Sequence, residues 1–252
     1  MTDAPPATDT PNLQTIGILG GMSAESTVTY YQRLNAGVNE ALGGHHSAPV
    51  LISSVDFGVV EACISDGRWD DAGAYLAEKA QGLEAAGADF VIMATNTMHR
   101  VTPAITEAIS IPFYHIVDAT ADAAHAASVE TVGVLGTKPV TEAGFYGDRF
   151  EENGIDVVLP DAEARHRLHD IIFDELTQGI ITDESREAYV DIMADLVDAG
   201  AEGIVLGCTE IELLVSEEDF DRVSLFDTTD LHVQRALELS LSEEIPTPTP
   251  AP

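Results

Sequence analysis

The chain has 252 residues, of which 45% are hydrophobic, so it can bury the cores of one or two domains. Its 44 acidic residues against 11 basic ones give a formal net charge of −33, which argues against a nucleic-acid partner. No apolar run approaches the roughly 20 residues of a membrane span, and the polar, proline-rich start differs from a secretory signal. We therefore expect a cytoplasmic protein without a membrane partner, adapted to a salt-rich interior that screens its self-repulsion.

Short β-branched runs alternate with longer amphipathic stretches, a pattern typical of parallel sheets covered by helices on both faces. The predicted elements are, in chain order, strand 15–19, helix 26–41, strand 50–55, helix 69–86, strand 90–94, helix 101–108, strand 113–116, helix 118–127, strand 131–135, helix 142–153, strand 156–159, helices 162–178 and 185–198, strands 203–206 and 223–226, and helix 229–240. Residues 1–13 and 244–252 have too little apolar content to fold, so disordered tails are predicted there.

An internal repeat relates the two halves of the chain. Ile16-Gly17-Ile18-Leu19-Gly20 is echoed by Val132-Gly133-Val134-Leu135-Gly136, and Thr95-Asn96-Thr97 is echoed roughly 110 residues later by Cys208-Thr209-Glu210. The repeat predicts an α/β fold of two pseudo-symmetric, doubly wound parallel-sheet lobes, one built from residues 14–117 plus 223–243 and the other from 118–222. Because parallel sheets place their functional loops at the carboxyl ends of strands, we expect the active site in the cleft between the lobes.

The glycine-rich turn Gly20-Gly21-Met22-Ser23 comes between a predicted strand and a predicted helix. It lacks the G-x-G-x-x-G spacing of dinucleotide-binding proteins and the lysine of a P-loop, so no nucleotide cofactor is expected. Two interpretations stay open: backbone amides that approach a carboxylate at the helix N-terminus, and a tight turn without a ligand.

The two cysteines have different surroundings in the sequence. Their number and spacing predict neither a disulfide framework nor a zinc site. Cys63 lies in an apolar helical turn and is interpreted as structural. Cys208 follows a strand and precedes a predicted helix start, where a thiol pKa can fall, so acid/base catalysis and a small buried hydrophobe both stay open.

Polar residues near the other loops offer further candidates. Asn96 and Thr97 can bind the amino and carboxylate groups of a small polar ligand, and His99 is interpreted either as catalytic or as a capping or solvated residue. Arg165 and Arg167 are a basic pair retained against a large acidic excess, so carboxylate binding and plain surface charge both stay open for them.

At these motifs the chain resembles the aspartate/glutamate racemase family. The segments that carry the resemblance span most of the chain and are Gly20-Gly21-Met22-Ser23-Ala24-Glu25-Ser26-Thr27, Thr95-Asn96-Thr97-Met98-His99, Leu135-Gly136-Thr137, Ile171-Ile172-Phe173-Asp174-Glu175-Leu176 and Gly207-Cys208-Thr209-Glu210-Ile211. The resemblance implies an amino-acid racemase that uses no cofactor and no metal, acts on a small acidic amino acid and forms a homodimer. It also implies two cysteines, one from each lobe, that flank the α-carbon of the substrate.

Transferred residue by residue, the resemblance makes Cys208 the acid/base for the L-isomer and leaves Thr95 in the place of the other cysteine. The implied substrate-binding residues are Met22, Asn96, Thr97, Thr137, Arg165 and Thr209. Arg167 is the alternative to Arg165 for the distal carboxylate. The Thr-Asn-Thr-Met-His segment is similar to that of an L-aspartate/glutamate-specific subgroup.

Two other functions are compatible with a single cysteine in this position. One is a decarboxylase of the arylmalonate type, in which the cysteine protonates the carbanion left by loss of CO₂. The other is a non-catalytic binder of acidic amino acids.

Overall fold

The computed structural model describes residues 12–246, in which strands and helices alternate as predicted. The strands are β1 (Ile16–Gly20), β2 (Val50–Ser54), β3 (Phe90–Met93), β4 (Thr131–Gly136), β5 (Asp156–Val158), β6 (Gly203–Gly207) and β7 (Ser224–Asp227). The helices are α1 (Ala24–Leu42), α2 (Phe57–Ser65), α3 (Trp69–Ala85), α4 (Thr102–Ala108), α5 (Ile116–Ala126), α6 (Lys138–Glu142), α7 (Phe145–Glu152), α8 (Ala162–Asp174), α9 (Asp183–Asp198) and α10 (Thr228–Leu241). Single turns of 3₁₀ helix occur at Thr97–Val101, Leu176–Gln178 and Ile211–Leu213.

The strands form two parallel sheets, one in each lobe. The first has the order β2-β1-β3 and the second the order β5-β4-β6-β7. Every residue of β1 and β6 is buried, because helices cover both faces of each sheet. In the first lobe, α1 packs on one face through Tyr30 and Leu34, and α3 packs on the other through Leu76. The predicted α/β fold with two parallel-sheet lobes is confirmed.

Two predicted elements differ in the structure. The strand predicted at 113–116 is reduced to a single bridge between Val91 and Phe113, because the next residue but one, His115, already caps α5 by accepting a hydrogen bond from the Val117 amide. The helix predicted at 142–153 begins later, at Phe145 in α7, because Gly144, whose φ is +78°, interrupts the helical backbone after the short α6, which ends at Glu142.

The lobe boundary predicted near residue 223 needs correction. Strand β7 pairs with β6, with Gly203 opposite Ser224, so residues 224–227 complete the second sheet rather than return to the first lobe. Helix α10 then lies against α1 and α5, and its Val233 and Leu239 enter the apolar cluster around Ile16 and Ile18. The chain therefore passes from the second sheet to the first-lobe core at Asp227, which caps α10.

The tails predicted as disordered are shorter than expected. Leu13 and Ile245 pack against the first-lobe core, and the Gln14 amide donates to the Ser240 carbonyl over 2.9 Å. The first and last described residues therefore lie side by side, and their apolar side chains join a core. The remaining parts of both predictions, 1–11 and 247–252, lie outside the described residues.

Candidate active site

A cavity of about 410 Å³ lies between the lobes, at the carboxyl ends of β1, β3, β4 and β6. Seven of the side chains predicted for the site line it: Met22, Thr95, Asn96, Thr97, Thr137, Cys208 and Thr209. The parallel strands of each lobe end at this cleft, so the four polar loops converge as the repeat predicted.

The turn after β1 is shaped by a close approach between backbones. Gly21 has a φ of +88°, and a Cβ there would lie 2.4 Å from the Val55 carbonyl oxygen, so only glycine fits. The Gly21 amide donates to Thr27 Oγ1 over 2.7 Å, and Ser23 caps α1 by accepting from the Ser26 amide. These two amides are therefore bonded within the turn, which holds Met22 and Ser26 at the cavity wall.

Cys208 is bonded to a carboxylate two residues further along the chain. Its Sγ donates to Glu210 Oε2 over 2.9 Å, and the same oxygen accepts from Thr209 Oγ1 over 2.7 Å. Burial raises the pKa of the Cys208 thiol well above its ordinary value, and the charge of Glu210 and its hydrogen bond raise it further. The lowered pKa predicted from a helix start is therefore wrong, since only a short 3₁₀ turn follows and a carboxylate faces the sulfur.

Thr95 lies on the opposite wall, at the end of β3, and is 9% exposed. Its carbonyl accepts a hydrogen bond from His99 Nδ1 over 2.7 Å, while His99 Nε2 accepts from the Ile116 amide over 3.2 Å. Burial lowers the pKa of His99 well below its ordinary value, and the nearby His115 lowers it further. His99 is thus a neutral, fully bonded side chain that fixes the backbone at Thr95, and it lines a different cleft.

The Asn96 side chain joins three parts of the fold. Thr228 Oγ1 donates to the Leu206 carbonyl, so it accepts from Asn96 Nδ2 over 3.1 Å. The Tyr146 hydroxyl donates to Asn96 Oδ1 over 2.7 Å. These hydrogen bonds use both the nitrogen and the oxygen of the Asn96 side-chain amide. Asn96 therefore fixes the position of the loop that follows β3.

Two pairs of hydroxyl groups bridge the lobes at the cavity. Thr97 Oγ1 lies 3.1 Å from Thr137 Oγ1, and Ser26 Oγ lies 2.7 Å from Thr209 Oγ1. Each pair joins a first-lobe loop to a second-lobe loop, so these two hydrogen bonds connect the lobes across the cleft.

The arginines predicted to bind a carboxylate are not at this cavity. Arg165, on α8, donates from Nη1 to the Thr141 carbonyl over 3.3 Å, and its Nε is buried without a partner among the described residues. Arg167 is exposed, and neither side chain lines the cavity. His169, one helical turn after Arg165 on the same face of α8, reaches the cavity wall instead, so the position along the helix separates the two side chains.

Several lining residues escaped the sequence analysis. Glu61 and Ser65 come from α2, which was interpreted only as an apolar turn, and Phe173 and Thr177 come from α8 and the turn after it. Glu210 was part of a quoted motif but received no role, although its distance of two residues from Cys208 was a usable signal. Cys63 packs in the first-lobe core as predicted. Within residues 12–246, no group of three or more His, Cys, Asp or Glu residues is arranged to hold a metal ion.

A charged cluster next to the cavity ties α1 to the second lobe. The Arg33 guanidinium donates from Nη2 to both Glu212 carboxylate oxygens over 2.7 Å, and its Nη1 lies 3.3 Å from Asp227 and 3.6 Å from Asp230. Burial and the nearby Asp227 carboxylate together raise the pKa of Glu212 to about 7, against the opposing effect of Arg33. Glu212 is therefore mostly protonated below neutral pH.

The raised pKa of Glu212 predicts a pH dependence of stability. The pKa of Glu212 is higher in the folded chain than in the unfolded chain, so its contribution is complete at low pH and is lost as pH rises through about 7. We expect the free energy of unfolding of the wild type, measured relative to Glu212→Gln at constant ionic strength, to fall between about pH 5 and pH 8. The exposed Glu40→Gln is the matched control and should give a flat difference. A flat difference for Glu212→Gln as well would contradict the raised pKa of Glu212.

Comparisons with known proteins agree on one family. The family model described as Asp/Glu/Hydantoin racemase matches residues 19–236. A candidate Asp/Glu racemase from Yersinia pestis is 41% identical, with a TM-score of 0.87 over 91% of this chain and 100% of that one. An aspartate racemase homologue from Pyrococcus horikoshii OT3 is 32% identical, with a TM-score of 0.81 over 91% of this chain and 100% of its own.

A further relative has been described by its substrate range. The broad specificity amino-acid racemase RacX of Bacillus subtilis is 30% identical over 159 residues, which are 58% of this chain and 64% of RacX, less than two thirds of its length. The family model covers most of the residues that build both lobes and the cavity between them. The chain belongs to the Asp/Glu/hydantoin racemase family.

Proposed function

We propose that the protein racemises an α-amino acid without a cofactor, with Cys208 as the acid/base for the L-isomer and Thr95 facing it. The observation that carries this proposal is the position of Cys208 and Thr95 on one cavity, at equivalent strand ends of the two lobes. Racemisation needs proton transfer on both faces of the α-carbon, and two related lobes offer a group on each face.

The Cys208–Glu210 contact supports a sequence of proton transfers. The sulfur donates to the Glu210 carboxylate, so the thiol proton passes to that carboxylate when the sulfur attacks. The resulting thiolate removes the α-proton, and the electron pair left on the α-carbon is delocalised into the substrate carboxylate. A proton delivered from the Thr95 side to the opposite face then completes the inversion. The sulfur keeps the α-proton as its thiol proton, Glu210 releases one proton to solvent, and the Thr95 side takes one proton from solvent, which restores the starting state.

Thr95 makes removal of the α-proton unequal for the L- and the D-isomer. The Cys208 thiol has a carboxylate acceptor for its proton, whereas an alcohol is a far weaker acid than a thiol and does not ionise near neutral pH. The Thr95 hydroxyl therefore relays or orients a proton from water but is a poor base toward the D-isomer. Because the two isomers have the same free energy in solution, net racemisation has the same kcat/KM in both directions, and the inequality shows in the exchange of each isomer's α-proton with solvent.

The substrate side chain is a separate question. An acidic amino acid, aspartate or glutamate, was predicted from the resemblance, and it stays a prediction supported by the name of the family. The broad specificity stated for RacX supports a wider range of substrates. The α-carbon chemistry proposed for Cys208 and Thr95 is the same in either case.

Exchange of the α-proton with solvent tests this function. We expect the protein in heavy water at high salt to incorporate deuterium into an L-amino acid at least about ten-fold faster than into its D-isomer. Equal exchange of both isomers would defeat the role given to Thr95. Ligand binding without any exchange would instead favour a non-catalytic binder, and release of CO₂ from a malonate would favour a decarboxylase.

The proposal also includes the oligomeric state and the cellular location of the protein. We propose a homodimer in a salt-rich cytoplasm, supported by the family resemblance and by the formal charge of −33. Across the described part of the chain, no helix combines the length and the apolar character that crossing a membrane requires.

A further inference from the structure

The charges around the cavity are unusual for a site that binds an acidic substrate. Two carboxylates line it, Glu61 from the first lobe and Glu210 from the second, and His169 is the one titratable base among the lining residues that the structure describes. Aspartate and glutamate carry a second carboxylate, which proteins hold most strongly with arginine or lysine. No arginine or lysine occurs among these lining residues.

His169 does not replace the missing cation. Burial lowers the pKa of His169 from its ordinary value, and the positive charge of Lys138 lowers it further. The imidazole is therefore neutral at neutral pH, when a substrate carboxylate would need a positive partner. Lys138 is the nearest lysine to this wall, but its side chain is not part of the cavity lining.

Glu61 presents an acceptor at the part of the cavity formed by α2. Its Oε1 accepts a hydrogen bond from the Ser65 hydroxyl over 2.5 Å, and among the described residues its Oε2 has no hydrogen-bond donor. Phe57 and Ile64, on the same helix, also line the cavity. This wall thus combines apolar surface with one carboxylate oxygen that can accept from a ligand.

We propose that the cavity selects amino acids whose side chain is neutral or positively charged and donates hydrogen bonds, and that Glu61 is the residue that rejects acidic side chains. This inference rests on the proposed racemase function and names its substrate class. A substrate amide, hydroxyl or ammonium group donates to Glu61 Oε2, whereas a substrate carboxylate faces a like charge without a counter-ion. Glu61 is itself exposed, so solvent screens this like-charge contact in part, and the absence of a cationic partner among the described lining residues adds to the cost for a substrate carboxylate.

Isosteric substrate pairs isolate the charge from the shape. Glutamine differs from glutamate, and asparagine from aspartate, only by an amide in place of a carboxylate. We expect kcat/KM for α-deuterium exchange to be at least about ten-fold higher for L-glutamine than for L-glutamate, with the same direction for the asparagine pair. Exchange of glutamate or aspartate at an equal or higher rate would overturn the inference.

Variants then assign the selectivity to Glu61. Glu61→Gln keeps an oxygen that accepts from Ser65 and is expected to reduce the glutamine-to-glutamate ratio several-fold, whereas Glu40→Gln, the same change on the outer surface of α1, should leave the ratio unaltered. A ratio unaffected by Glu61→Gln would remove Glu61 from the proposal. A preference for glutamate that disappears in Lys138→Met would overturn it by assigning the distal carboxylate to Lys138. Exchange in no amino acid at all would contradict the racemase function itself, so the two failures are distinguishable.

Discussion

Replacement of Cys208 by alanine is expected to lower α-deuterium exchange into the L-substrate by at least about 1,000-fold, equivalent to roughly 4 kcal/mol of lost transition-state stabilisation. In the proposed mechanism no other group on that side of the α-carbon takes up the proton, because Glu210 acts through the sulfur to which it is bonded. In Cys208→Ala no sulfur remains between Glu210 and the substrate. Glu210 therefore has no thiolate through which to act, and residual exchange should be small.

Cys63 provides the matched control for this experiment. It is the other cysteine of the chain, 6% exposed in the first-lobe core, so Cys63→Ala removes one thiol that does not line the cavity. Its exchange rate should stay within a few-fold of the wild type after correction for the folded fraction, which thermal unfolding measures. Retention of more than a tenth of the activity in Cys208→Ala would require a different base.

A second large effect is expected on the opposite wall. Thr95→Cys places a thiol, with an ordinary pKa of about 8.5, where the wild type has an alcohol that does not ionise near neutral pH. We expect exchange of the D-isomer to rise at least about ten-fold, so that the rates for the two isomers approach each other. The measurement is the ratio of initial exchange rates for the L- and D-isomers of one amino acid.

Thr95→Val is the control for the shape of that position. It has nearly the volume of threonine but no hydroxyl, so it should bring no gain for the D-isomer and should slow racemisation of the L-isomer by removing the proton relay. The backbone held by His99 is common to the wild type and both variants, so differences report on the side chain. No gain in Thr95→Cys would mean that residue 95 does not face the α-carbon.

The parts of the site that could be predicted from sequence are those set by strand ends. Thr95 and Cys208 each follow a buried strand of a repeated unit, and parallel sheets bring such positions to one edge. Arg165 could not be placed in this way, because which turn of a helix meets the cleft depends on how the helix packs along the sheet. Arg165 and His169 share one face of α8, but the turn of His169 reaches the cavity and the turn of Arg165 lies against Thr141.

Pairings between distant segments also escaped prediction. Whether strand 224–227 joins the first or the second sheet is decided by its contacts with β6, and its short sequence is compatible with both. The rise in the pKa of the Cys208 thiol was not predicted for a related reason, since it depends on the burial of the sulfur and on the orientation of the Glu210 side chain. Likewise, Glu61 reaches the cavity because of the path taken by α2.

The cross-lobe hydroxyl pairs have a consequence for affinity. Ser26 with Thr209, and Thr97 with Thr137, already satisfy part of one another's bonding capacity across the cleft. A substrate that bonds to these groups exchanges partners with them, so little net hydrogen-bond energy is gained on association. Weak ground-state binding is compatible with rapid turnover, because interactions that strengthen only as charge develops on the reacting carboxylate lower the barrier rather than the Michaelis constant.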